Sequence, residues 1–397
     1  MKMSEEMNEL FYRDVYCREF DAQVVSCEKG KKYWEIVLED TAFYPEGGGQ
    51  AADHGTLDNV RVLDVHRRDG RIIHYCDGEL PVNSTVHGVI DWQRRFDHMQ
   101  NHSGEHIVSG IIHKLYGYEN VGFHMGEVIQ IDFDGELNDE DIHRIEREAN
   151  ERIWKNIPVE ITYPSEEELQ DIPYRSKKEL EGTVRIVTIE DTDICACCGT
   201  HVRYTGEVGV IHLLSVEKHK SGCRIEMLAG QRAWQWLRDT ADQNIQISHL
   251  FSAKPLETAD AVRKYMDQNR EINRKLAGIK RSYIEMKAET LPETDVCVMI
   301  ENDLDADACR MLGDLLLEKN KAKISAVFTE VSPGVCRFVW LSRDHDLKKI
   351  TKALRTSMTI KGGGNAQMQQ GMIEGNIGQI KKTAEQAFRE AVSAVQN

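Results

Sequence analysis

The chain has 397 residues, enough for two or three domains that each bury a core, which excludes a peptide or a single small module. Its 50 basic residues are outnumbered by 66 acidic ones, for a net charge of −16, so a generally basic nucleic-acid coat is excluded and any nucleic acid must be gripped locally. With 41% hydrophobic residues, 29% charged residues and 8 prolines, the composition is that of a folded globular protein and neither disordered nor fibrous.

No stretch reaches 18 consecutive apolar residues. Met1–Leu10 is acidic and polar where a signal peptide needs a basic region and an apolar run, so no membrane association and a cytoplasmic location are expected. Ten cysteines diluted over this length read as buried thiols, apart from Cys195, Cys197 and Cys198, which fall within four positions.

In chain order the pattern predicts an α+β protein. Residues 1–92 carry short β-branched and aromatic runs (Val24–Val25, Tyr33–Val37, Val60–Val65, Ile72–Cys76) bounded by Lys29-Gly30 and Asp69-Gly70, as in a small β-barrel or compact antiparallel sheet. Residues 93–233 are α+β, with helices expected over Arg94–Leu115, from Phe96, Met99, Ile107, Ile111 and Ile112, and over Asp139–Asn156, from its acidic first turn. Residues 234–291 form a helical connector. There Val262, Tyr265, Asn269, Ile272, Leu276, Ile279, Tyr283 and Met286 are spaced three, four, three, four, a heptad seam suited either to a hairpin with residues 234–251 or to a homodimer. Residues 292–397 alternate strands and helices in an α/β module with a glycine-rich loop at Gly362-Gly363-Gly364 and a final helix over about Asn376–Val395.

The chemistry concentrates in two segments. In Asn101-His102-Ser103-Gly104-Glu105-His106, helix places His102 and His106 one turn apart on one face, the geometry of two imidazoles sharing a metal. Glu105 is not at the position of a zincin base, so a protease reading lacks its key residue. Some 90 residues later, in Cys195-Ala196-Cys197-Cys198-Gly199-Thr200-His201, a cysteine four before a histidine supplies a sulfur and a third imidazole, completing a tetrahedral zinc set. A thiol cluster beside a buried histidine and a redox C-x-x-C pair are the plain alternatives; no thioredoxin-like βαβ pattern surrounds the latter. A third feature, Thr41–Gln50 with Gly47-Gly48-Gly49, reads either as a tight hairpin or as backbone shaped for a close ligand.

Thr41–Gln50, His102–His106, Val184–Val187 and Cys197–Val202 together resemble the alanyl-tRNA editing domain, found within alanyl-tRNA synthetases and free-standing in the AlaX family. The resemblance continues through Thr205–Gly209 to Arg224-Ile225-Glu226 and Gly230, spanning most of residues 10–235. One departure is that the family usually has Cys-Gly-Gly-Thr-His, and Cys198 stands here in place of the first glycine, which leaves the thiolate between Cys197 and Cys198. The resemblance implies a zinc-containing editing domain with His102, His106, Cys197 and His201 as metal ligands and Thr41 and Gln50 on the substrate side. It implies a trans-editing hydrolase that deacylates mischarged tRNA for alanine, seryl-tRNA first and glycyl-tRNA second. The editing region begins almost at Met1, so no ATP-dependent amino-acid activation is expected.

Residues 292–397 resemble the DHH-associated domain at the end of alanyl-tRNA synthetases. Lys348, Lys349, Lys352, Arg355 and Lys361 put five positive charges within an acid-free stretch, which with Gly362, Gly363 and Gly364 makes an expected tRNA contact; the alternative is a solvated helix face. An Asp-His-His motif is absent, removing a phosphoesterase. The rival reading is a non-catalytic tRNA-binding protein with a structural zinc; a zinc amidase or peptidase, which would need a carboxylate at the metal, is a more distant one.

Overall fold

A computed structural model describes residues 8–176, 183–302 and 304–396; most of Met1–Leu10, the segment on which the signal-peptide expectation rests, lies outside these. The chain divides into two compact units, residues 1–246 and 247–397.

The first unit opens with a short helix, α1 (Leu10–Arg13), and a closed antiparallel barrel of six strands. These are β1 (Glu19–Lys29), β2 (Trp34–Leu38), β3 (Gly55–Leu57), β4 (Val60–Arg68), β5 (Arg71–Cys76) and β6 (Thr85–Ile90), ordered β1-β2-β5-β4-β3-β6, with β6 returning to β1. Alternation along β1 sends Phe20, Ala22 and Val24 inward to meet Ile36, Phe43, Leu57, Val65 and Val86 in the barrel's own core.

Helix α2 (Trp92–Tyr116) follows, started by Asp91, whose side chain accepts from the Arg94 N–H, and ended at Gly117. Its long buried face, including Met99, Ile107, Val108, Ile111 and Ile112, packs in one core with β7 (Asn120–Met125), β8 (Ile129–Phe133), α3 (Asp139–Lys155), β9 (Val159–Thr162), β10 (Ile186–Ile189), β11 (Asp193–Ala196), β12 (Ile211–His219) and β13 (Gly222–Ala229), while the single turn α4 (Glu166–Leu169), after β9, buries no residue. The strands make two antiparallel sheets, β11-β10-β9 and β12-β13-β8-β7. Barrel and helix are tied by Arg95, fully buried, whose Nε donates to Asp53 at 2.9 Å and whose guanidinium also reaches the Val15 and Ala42 carbonyls. Helix α5 (Gly230–Leu250) runs on from this unit.

In the second unit, α6 (Thr258–Thr290) is one uninterrupted helix. Ile284 and Ala288 pack beside Leu312 of α7 (Ala306–Glu318), while the heptad residues Tyr265, Ile272, Leu276, Ile279 and Met286 are exposed. The sheet order is β14 (Val296–Ile300), β15 (Ile324–Ser332), β16 (Val335–Ser342), β18 (Met368–Glu374), β17 (Thr359–Gly364), with α8 (Leu347–Leu354) and α9 (Ile377–Gln396) completing it.

Among the described residues of this unit only β14 and β15 pair in parallel; Pro333-Gly334 turns β15 straight back into β16, so the rest of the sheet is antiparallel. One expectation needs correction: the glycine run is not a loop. Gly362, Gly363 and Gly364 end β17, opposite Gly371, Gln370 and Gln369, and a Cβ on Gly362 or Gly364 would overlap the backbone of β18.

Candidate metal centre

Two segments far apart in sequence meet in one cluster. Helix α2 presents His102 and His106 from one face, and the loop leaving β11 brings Cys197 and His201; ligand atoms of all four lie within 4.8 Å of one another. His102 Nε2 and His201 Nε2 are each 3.4 Å from Cys197 Sγ. Gly199 is what permits this approach, because a Cβ there would overlap the His102 ring.

All three imidazoles turn their other nitrogen outward to a partner. His102 Nδ1 is 3.0 Å from Gln50 Oε1, His106 Nδ1 is 2.8 Å from Asp193 Oδ2, and His201 Nδ1 is 3.2 Å from Ser103 Oγ. Gln50 and Asp193 offer only acceptor oxygens here, so His102 and His106 donate through Nδ1–H and keep the Nε2 lone pair for the centre. Three Nε2 atoms and one sulfur converging with their outer nitrogens held is the donor set and support that zinc requires. Burial opposes ionisation of Cys197, but the surrounding His102, His106 and His201 outweigh it and hold the thiol well below its ordinary value. Burial alone pushes His106 down, yet Cys197 and Asp193 carry it well above the usual imidazole value, whereas burial dominates at His201 and lowers it to about 3.

Cys198 is exposed and outside the four-residue cluster; its carbonyl accepts from Tyr12 Oη at 2.8 Å and Tyr44 Oη at 3.2 Å. Gln50, fully buried, sits at a tight turn closed by Gly47, and besides holding His102 its Oε1 accepts the Thr200 N–H at 3.0 Å. Thr41 lies inside the barrel. Its hydroxyl is 2.9 Å from His74 Nε2 and accepts the Phe43 N–H at 3.1 Å. Because His74 Nδ1 faces the Ile36 carbonyl at 3.0 Å, Nε2 is the acceptor and Thr41 the donor. Burial pushes His74 down to about 4.

Sequence reasoning gave no role to Asp193, to Arg175, which pairs with it at 2.8 Å, or to Ser103, and weighed Glu105 only as a zincin base. Asp193 and Arg175 carry no local motif and join the centre only through folding. Ser103 sits inside the histidine motif, where a hydroxyl at i+1 gave no sign of reaching His201. Glu105 is buried at the centre with Oε1 accepting from Ser109 at 2.7 Å and Asn120 at 2.6 Å, and with Oε2 3.9 Å from His106 Nε2.

The basic stretch lies in the second unit. Lys348, Lys349 and Lys352 stand exposed on α8, Arg355 donates to the Gly362 carbonyl at 2.6 Å, and Lys361 pairs with Glu374 at 2.9 Å. Among the described residues no helix is long and apolar enough to cross a membrane.

Two family models match. The threonyl and alanyl tRNA synthetase second additional domain covers residues 184–226, which hold Cys197 and His201, and the class II (A) tRNA synthetases cover residues 4–94, which hold the barrel. The mouse alanyl-tRNA editing protein Aarsd1 is 32% identical over 302 residues, 71% of this chain and 73% of its own length. Alanyl-tRNA editing protein AlaX-L of Pyrococcus horikoshii is 29% identical over 96% of this chain and 98% of its own. An alanine–tRNA ligase of Pyrobaculum calidifontis is 29% identical over the same share of this chain but only 44% of its own length. A centre built from this motif pair, on a chain that matches one editing protein nearly end to end and another over about seven-tenths of both lengths, places it among them: the protein belongs to the alanyl-tRNA editing protein family.

Proposed function

We propose that this protein is a zinc-dependent aminoacyl-tRNA deacylase that hydrolyses the ester of mischarged tRNA for alanine, seryl-tRNA first and glycyl-tRNA second. The observation that carries the proposal is the convergence of three imidazole Nε2 atoms on Cys197 Sγ in a member of the editing family. The chemical need is one of size. A pocket for alanine cannot strongly reject glycine, and serine adds a single hydroxyl, so a second, hydrolytic site restores fidelity.

His102, His106, Cys197 and His201 would hold the metal, which when bound supplies positive charge for polarising water or orienting the aminoacyl group. Gln50 and Thr200 lock the His102 ring, and Phe123 stacks on it with ring centres 5.5 Å apart. The substrate side is assigned to Thr41 and Gln50. Since the Thr41 hydroxyl already donates to His74, a serine hydroxyl would meet it as an acceptor. The Glu105 carboxylate suits ester and amide hydrolysis alike, and family membership favours the ester. The second unit is assigned to tRNA binding through Lys348, Lys349, Lys352, Arg355, Lys361 and Gly362–Gly364, with the exposed heptad face of α6, or the C-terminal domain, as a homodimer contact. All ten cysteines are unpaired, in keeping with the reducing cytoplasm as its compartment.

The test is release of serine and glycine from mischarged tRNA for alanine, before and after chelation and on zinc restoration. The expected outcome is hydrolysis that disappears with the metal and returns with it. A protein that binds the tRNA but releases no amino acid would be a binding module with a structural zinc.

A further inference from the structure

The three imidazoles differ in what holds their outer nitrogens. His102 faces a neutral amide oxygen and His201 a hydroxyl, but His106 Nδ1 faces a carboxylate, Asp193 Oδ2, at 2.8 Å. The Asp193 side chain is 1% exposed, and its other oxygen takes Arg175 Nε at 2.9 Å and Nη2 at 2.8 Å. The backbone of Arg175 is itself fastened to β11: its N–H donates to the Ile194 carbonyl at 2.8 Å, and the Ala196 N–H donates to its carbonyl at 2.9 Å. That attachment fixes where the guanidinium sits. From the other side, Gly110, one turn beyond His106 on α2, makes room; a Cβ there would lie 2.7 Å from the Asp193 Cβ and overlap the Thr192 carbonyl. Three independent features, a strand bridge, a buried ion pair and a missing side chain, thus deliver one carboxylate to one imidazole.

We propose that Asp193, charge-balanced by Arg175, is the positioning residue of the metal centre, fixing His106 in the Nδ1–H tautomer and making its Nε2 the strongest nitrogen donor of the three. The proposal rests on the zinc reading given above. An imidazole free in solution exchanges between tautomers; a carboxylate at Nδ1 requires the proton there, leaves the Nε2 lone pair for the metal, and raises its basicity.

A competing use of the same atoms exists. His106, Asp193 and Cys195 also bring ligand atoms within 4.8 Å of one another, as a second cation site would. Arg175 decides between them, because its guanidinium already occupies Asp193 Oδ1 and would repel a second cation beside it.

The experiment uses the full-length protein. Zinc per chain is counted after equilibration, zinc affinity is measured by competition with a chelator, and the His106 tautomer is read from long-range proton–nitrogen NMR correlations. Asp193→Ala should weaken zinc binding about 10- to 100-fold, the range for removing a partner that supports a metal ligand, with a change in the His106 nitrogen signals while those of His102 and His201 stay in place. Asp193→Asn, which keeps an acceptor oxygen, should recover part of the affinity. Gly110→Ala should reproduce the loss by displacing an unaltered Asp193, and Cys195→Ala should keep one zinc at the parent affinity. If the parent protein binds one zinc and Asp193→Asn and Asp193→Ala both bind it within threefold with unchanged His106 signals, the positioning role is overturned while the zinc reading stands. Two zinc ions per parent chain, one of them lost in Cys195→Ala, would overturn it in favour of a second cation. A parent protein that binds no zinc would overturn both readings.

Discussion

Replacing Thr41 by Val keeps the side-chain volume and removes one hydroxyl, the one that donates to His74 Nε2 and accepts the Phe43 N–H. Both partners are buried and would be left unsatisfied, at about 1–3 kcal/mol each, so the variant should lose about 2–6 kcal/mol of stability and on the order of 4–24 °C in Tm. Selectivity is a separate quantity. If the hydroxyl oxygen also meets the serine hydroxyl, one net hydrogen bond of about 1–1.5 kcal/mol disappears from the serine reaction alone, a factor of roughly ten in its rate. The assay is single-turnover release of serine and of glycine, on the same tRNA, at a temperature well below the variant's Tm; the serine-to-glycine ratio reports recognition and the melt reports packing. Lower stability with an unchanged ratio would make Thr41 a structural member of the barrel and place discrimination elsewhere. Unchanged stability and ratio together would refute the buried hydrogen-bond argument itself.

Zinc analysis should find about one ion per chain in the parent and none retained in His102→Ala or Cys197→Ala, with full retention in Cys198→Ala; the opposite result for the two cysteines would move the thiolate by one position. Reversing Lys348, Lys349 and Lys352 to Glu should weaken tRNA binding and flatten its salt dependence by about 0.7–0.9 in log–log slope for each phosphate no longer neutralised, and an unchanged slope would remove α8 from the tRNA-binding surface. Because folded His74 titrates at about 4 against 6.5 unfolded, the unfolded chain binds a proton in that interval that the folded one does not; the stability present above pH 6.5 should fall as pH drops toward 4, by about 1.4 kcal/mol per unit. Burial lowers His201 as well, so the check is a difference: between pH 7 and 5, urea unfolding of His74→Phe should be less pH-dependent than that of the parent by about 1.4 kcal/mol per unit, and equal slopes in the two would assign the dependence to other groups.

The four-residue cluster was legible in sequence because each pair is local: His102 and His106 are one helical turn apart, and Cys197 and His201 share one loop. The barrel was legible too, since its strands are short, alternating and divided by turn residues. What escaped was everything set by contact between distant segments. Asp193 lies 87 residues from His106, and nothing near it announces its role; Gln50, 52 residues from His102, was placed on the substrate side with no sign of its hydrogen bond to that ring. Gly362–Gly364 was misread for a different reason. A glycine triplet has the composition of a turn, and only the facing Gly371 and Gln370 backbone shows that the missing side chains serve close strand pairing.

The centre also has a consequence for the order in which the chain folds. Every barrel strand lies within residues 19–90, so the barrel can close once that length has left the ribosome, whereas the cluster needs Gln50, His102 and His201 docked together. Contacts this distant in sequence form late, after the loops between them have lost their freedom. Metal capture would then come at the end of assembly and draw its free energy from ligands the rest of the fold has already gathered. Starvation for zinc should therefore loosen α2 and the loop after β11 first, leaving a closed barrel on a half-finished molecule.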